Sequence, residues 1–237
     1  LKNQYFGDIN DYRKYGLLRG FLDGGSRGLF VAWMLTPDDG RSDGRRVQYL
    51  QRPEKWRHFD PDLYSGLRAM LRPGRTRAVG LIEHSALLPR CRFFSELVPD
   101  RCEPRAGYFV RLGRAARGAE LIFLDPDNGL EVRSKPPGCR GSSKYVYWHE
   151  VEGLFSEGHS LLIYQHFRRT ERQGFVRSLA RELAGRLGIR STLTFRTPHV
   201  LFLLAAQPRH TRRLRGCAEA LAARWREQIQ LGEHSAA

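Results

Sequence analysis

Apolar and polar positions alternate along the chain in two periods. Apolar runs of strand length occur at residues 29–35, 78–83, 121–125, 160–166, 191–197 and 200–206. Bounded by turn residues, such runs predict buried strands. Between them the period lengthens to that of a helix. Residues 12–22 carry apolar side chains at 15, 18 and 22, and residues 175–187 place Phe175, Val176, Leu179, Leu183 and Leu187 on one face. Residues 214–225 do the same with Leu214, Cys217, Leu221 and Trp225, the one-sided stripe of a helix packed on a core. Gly188 supplies a stop for the middle helix. Residues 108–112 fit either a short strand or the start of a helix.

Strands alternating with helices predict a mainly parallel sheet covered on both faces. Only Pro198 and His199 separate the last two runs. So short a link holds no crossover helix, and those strands must pair antiparallel. The expected fold is α/β: a three-layer, Rossmann-like domain spanning residues 1–237. Its sheet would have about six or seven strands and end in an antiparallel hairpin. A helical segment over about residues 1–25 would precede it, and a helix over about residues 210–228 would close it.

Composition narrows the setting. Of 237 residues, 41% are hydrophobic, enough for a packed core. No apolar stretch reaches the roughly 18 residues of a membrane span, and the first residues lack a signal-peptide pattern. The four cysteines have no Cys-x-x-Cys spacing, so they read as reduced thiols in a cytoplasmic protein, with no metal site. Forty basic residues against twenty-five acidic ones give a net charge of +15, which favours a polyanionic partner, DNA or RNA. Arg168, Arg169, Arg212 and Arg213 are the expected contacts to nucleic acid. Arginine outnumbers lysine 35 to 5, so an arginine-rich composition is the competing explanation. Against it, Lys14, Lys135 and Lys144 all fall near segments that carry chemistry.

The chief such segment is IFLDPDNGLE, residues 122–131. A strand exit needs Pro126, Asn128 and Gly129 for its turn, but not two carboxylates. In open α/β sheets ligands sit beyond the carboxyl ends of strands, which singles out Asp125, Pro126, Asp127 and Asn128. Asp125-Pro126 resembles the first half of the Asp/Asn-Pro-Pro-aromatic motif of amino-methylating nucleic-acid methyltransferases. There the acidic side chain and a nearby carbonyl accept hydrogen bonds from the target amine. Asp127-Asn128 departs from the second half, which carries the base-stacking aromatic. The segment YFGDINDYRKYGLLR resembles the start of ribosomal-RNA adenine N6-methyltransferases of the RlmJ type. Asp11 and Lys14 match their Asp-x-x-Lys, and Tyr15 stands where they have His. A parallel sheet closed by a hairpin is likewise similar to the class I methyltransferase fold.

The resemblance implies S-adenosylmethionine as cofactor, held by Asp11, Glu83 and Gly40. It also implies a catalytic group of Asp125, Pro126, Asp127, Asn128 and Lys14. No Gly-x-Gly follows the first strand, where Thr36-Pro37-Asp38-Asp39 stand and Gly40 and Gly44 come later. Asp8, Glu150, Gln165 and His166 are further site candidates, the last two because they end a strand. In KYVYWHE, residues 144–150, the aromatics beside His149 read first as core. Two alternatives remain open. One is a nuclease gathering Mg²⁺ on Asp125, Asp127, Glu131 and Glu150. The other is a non-enzymatic nucleic-acid adaptor on a degenerate methyltransferase fold.

Overall fold

A computed structural model describes residues 1–25, 28–40 and 46–236; Gly44 lies outside them. In chain order the helices are α1 (Ile9–Asp23), α2 (Pro53–Trp56), α3 (Pro61–Met70), α4 (Gly80–Glu83), α5 (Cys102–Ala116), α6 (Trp148–Ser156), α7 (Arg172–Leu187) and α8 (Thr211–Arg224). The main sheet is built from β1 (Leu29–Ala32), β2 (Arg92–Phe94), β3 (Leu121–Leu124), β6 (Ser160–His166), β7 (Ser191–Arg196), β8 (Val200–Ala205) and β9 (Gln230–Ser235). A separate parallel pair joins β4 (Gly129–Leu130) to β5 (Tyr145–Val146).

The seven strands run in the order β2-β1-β3-β6-β8-β7-β9. β2, β1, β3 and β6 are mutually parallel, whereas β8, β7 and β9 join by antiparallel pairing. The sheet is therefore mixed, with as many antiparallel pairings as parallel ones, rather than mainly parallel. Side chains alternate between its faces. Val31, Phe123, Leu162 and Phe202 face one core with α1, α3 and α8. Phe30, Ile122, Leu161 and Leu203 face the other with α5, α6 and α7.

One sequence expectation changes, one open alternative is settled, and one strand had no sequence signal. Residues 78–83 form no strand: Val79 and Ile82 are the buried pair, at helical rather than alternating spacing, and Gly80 opens α4. Residues 108–112 belong to α5, where Arg105, Tyr108, Leu112 and Ala116 are buried one turn apart. β9 carried no hydrophobic signal because QLGEHS is polar and partly exposed on both faces, as an unshielded edge strand tolerates.

α1 is buried on nearly every side and closely packed on α8. A Cβ at Gly16 would overlap the Trp225 ring, one at Gly20 would overlap Leu221, and one at Gly24 would overlap Cys217. This four-residue glycine spacing lets the two helices approach closely. Arg13 adds two hydrogen bonds to Gln228 Oε1, at 3.2 and 2.6 Å. The fold thus clamps α1 between the sheet and the final helix.

Candidate functional site

A cleft of about 740 Å³ opens at the carboxyl ends of β3 and β6. Its floor is Asp8, Asp11 and Lys14 of the α1 region with Asp125 and Asp127 of the turn after β3. Asp125 N donates to Ala32 O at 3.0 Å, which extends the parallel ladder one residue past β3 and fixes the carboxylate at the sheet edge. Asp11, Lys14 and Tyr15 share one face of α1 through the three- and four-residue spacing of a helix.

On that face Lys14 Nζ donates to Asp11 Oδ1 at 2.8 Å and to Asp125 Oδ2 at 2.7 Å, with all three side chains buried. Burial works against the ammonium, yet the fields of Asp11 and Asp125 outweigh it and raise its pKa above the ordinary value. Asp11 Oδ2 accepts from Gly7 N at 2.8 Å and from Tyr15 Oη at 3.1 Å. Lys14 also lies 5.2 Å above the Tyr164 ring. The other Asp125 oxygen accepts no hydrogen bond from the described residues.

Asp8 caps α1, accepting from Asn10 N at 2.8 Å and Asp11 N at 3.0 Å. Burial, followed by the charge of Asp11, pushes its carboxyl up to about 7. Because the folded pKa lies above the unfolded one, the native state holds a proton that the unfolded chain releases between about pH 4 and 7. This contribution is fully present below pH 4 and is lost as pH rises through 7. Asp8→Asn keeps the cap and removes the titration. Urea midpoints at pH 4 to 8 are expected to show wild type losing about 2–4 kcal/mol relative to the variant. A constant difference across that range would refute the assignment.

The turn is strapped from β6. Gln165 Oε1 accepts from Leu130 N at 2.8 Å, and Gln165 Nε2 donates to Asn128 O at 3.3 Å and to His166 O at 2.8 Å. Gln165 is thus a support for the turn, whereas Asn128 and His166 line the cleft. Burial lowers the His166 pKa, and its Nε2 lies 3.2 Å from Tyr164 Oη. Among the described residues Asp127 has only long ionic contacts, one of them Lys2 Nζ at 4.0 Å.

Other expected residues lie elsewhere. Glu83 sits on α4, not at a strand end, and its carboxylate accepts from Trp33 Nε1 at 2.6 Å. Gly40 is described with φ of +68° but does not line the cleft. Just past β1, Met34 has φ of +46°, and the chain then continues to a parallel bridge between Leu35 and Leu97. Glu150 pairs with Arg105 Nε at 2.5 Å and accepts from Tyr147 N at 2.8 Å, while Glu131 accepts from Trp148 N at 2.8 Å. Both carboxylates therefore cap the start of α6. Among the described residues no three His, Cys, Asp or Glu side chains converge as a metal-holding group. Arg213 pairs with Glu120, just before β3 and so at the opposite end of the strands from Asp125. Arg212 shares that groove on α8. Arg168 donates to Glu131 O at 3.1 Å beside a smaller pocket, which, like Arg169, is not part of the cleft lining.

The sequence reading missed Lys2, Tyr5, Arg46, Tyr164 and His199, all of which line the cleft. His199 could have been found from its place in the short link before β8. That link had to lie at the carboxyl end of the strand preceding it.

Fold and site together define an α/β protein with a mixed seven-stranded sheet and an ionic cleft at one sheet edge. No helix among the described residues is long and apolar enough to cross a membrane. No family model and no curated protein matches the chain. Among solved structures, a protein from Legionella pneumophila str. Philadelphia 1, assigned to the family model DUF519, aligns with a TM-score of 0.46 and 7% identity. The alignment covers 98% of this chain and 97% of that one. A likeness at that level carries no argument about activity.

Proposed function

We propose that the protein is a Rossmann-like methyltransferase that transfers a methyl group to an exocyclic amine of nucleic acid. The observation that carries this reading is Asp125: it ends a central parallel strand, lines the cleft, and has one oxygen held by Lys14 while the other is open. An open carboxylate oxygen and the carbonyls of the Pro126-Asp127 turn suit an amine donor. Four parallel strands closing on an antiparallel hairpin support the same reading.

S-adenosylmethionine supplies the methyl group when bound. The cleft chemistry fits such a cation, because Asp127 makes only long ionic contacts and would hold its ammonium or sulfonium end. With the cofactor bound, Asp125 would hold the target amine by its N–H and stabilise positive charge developing on the nitrogen, whose surplus proton would then be lost to water. Lys14 and Asp11 act through Asp125, fixing its orientation and charge. Titration calorimetry with S-adenosylmethionine should give measurable heat saturating below millimolar ligand. Absence of binding up to that concentration would overturn the proposal. Asp125→Asn should retain cofactor binding and lose at least about 100-fold in transfer rate, the scale of removing one transition-state contact.

The nuclease alternative is weaker on this geometry. Lys14 occupies the space between Asp11 and Asp125 that a cation would need, and Glu131 and Glu150 are committed to helix caps.

A further inference from the structure

One wall of the cleft differs in charge from its floor. Arg46 and His199 line it. Arg172, at the start of α7, donates to Pro198 O at 3.1 Å, next to His199. Arg13, one turn along α1 from the cleft-lining Asn10, is 4% exposed and has an Nη1 group with no hydrogen-bond partner. Asn10 Oδ1 is likewise buried and unmatched. Burial, then the charges of Arg46, Arg13 and Arg172, lower the His199 pKa.

An arginine-rich chain scatters guanidinium groups over its surface, so their number means little. Place and burial matter more than the lack of an ion pair, because most arginines of the chain, Arg168 and Arg212 among them, also show none among the described residues. Arg19, Arg105, Arg111, Arg186 and Arg215 each face a carboxylate. Arg46, Arg172 and Arg13 have none within ion-pair distance among the described residues. A buried guanidinium N–H left unmatched is costly and calls for an acceptor. Convergent donors without a carboxylate form an anion site, and arginine suits the several oxygens of phosphate.

We propose that Arg46, His199 and Arg172, backed by Arg13, form a phosphate subsite on the cleft wall that takes a backbone phosphodiester of the nucleic acid. This rests on the nucleic-acid reading above and sharpens it: the contacts lie beside the acidic floor, not on the α8 arginines. A nucleotide would be held at both ends, its phosphate on the wall and its base directed to Asp125. His199 contributes an N–H in its neutral form.

The test uses the full chain and a fluorescein-labelled single-stranded oligonucleotide, with affinity followed against salt. Arg46→Gln/His199→Gln replaces residues outside the packed core, and its fold is checked by circular dichroism. The double variant should bind about tenfold more weakly, and its slope of log K against log salt should shrink by about 1. Adenosine monophosphate should displace the oligonucleotide from wild type better than adenosine does, a preference the variant loses. Arg212→Gln/Arg213→Gln should leave that preference intact. Unchanged affinity and slope in Arg46→Gln/His199→Gln, or no oligonucleotide binding by wild type at low salt, overturns the subsite. If the oligonucleotide results hold while S-adenosylmethionine fails to bind, the methyltransferase reading falls and the subsite stands.

Discussion

Lys14→Met is expected to lower stability by about 3–5 kcal/mol, the range found when one partner of a buried ion pair is removed. Methionine fills much the same volume, so the loss is electrostatic. Asp11 and Asp125 would face each other in the interior with no cation between them. For a chain of this size the melting temperature should drop by roughly 10 °C. The second arm of the experiment separates charge from packing. Adding Asp125→Asn to Lys14→Met removes one uncompensated carboxylate and should restore part of the loss, giving a coupling energy of about 1–3 kcal/mol. A single-variant loss below 1 kcal/mol would mean that the lysine is not the counterion the geometry makes it.

Gly129→Ala is expected to cost about 3 kcal/mol or more, for steric rather than electrostatic reasons. Gly129 has φ of +116°, a conformation that strains any residue bearing a Cβ. That Cβ would also overlap the Gln165 amide, whose hydrogen bonds strap the turn carrying Asp125 and Asp127. The amide cannot withdraw without releasing Leu130 N. Gly185→Ala is the matched control: it lies within α7 with open space where the methyl would go. There the same substitution should stabilise by about 0.5–1 kcal/mol. Equal urea midpoints for the two variants would remove the case for a strained, strapped turn.

Much of the architecture was legible because burial imposes a period. β6 matches its apolar run residue for residue, and α7 and α8 follow their stripes closely. The floor of the site was legible where chemistry exceeded structural need, as with the two carboxylates around Pro126. The spacing of Asp11 and Lys14 also pointed to a shared helix face. What escaped was decided by partners distant in sequence. Glu150 resembled a site acid, but its carboxylate is bound to Arg105, 45 residues away. Glu83 was expected at a strand end because residues 78–83 are apolar, yet only their helical spacing fits the burial. The arginines could not be ranked from sequence, since pairing with Glu120 or with nothing is a tertiary fact. β9 is polar because its strand lies at an edge, and edge strands need little hydrophobic patterning.

The clamp between α1 and α8 has a consequence for the order of assembly during synthesis. Lys14 and Asp11 are made about 200 residues ahead of Leu221, Trp225 and Gln228, which belong to the surface that holds their helix in place. An incomplete chain can form β1 and β3 and still leave α1 unmoored, its two acids and one lysine in water rather than paired beneath the sheet edge. The cleft therefore takes its held form only once α8 has been added to α1 and the sheet. Chains released before α8 would carry every residue of the floor without the surface that seats α1.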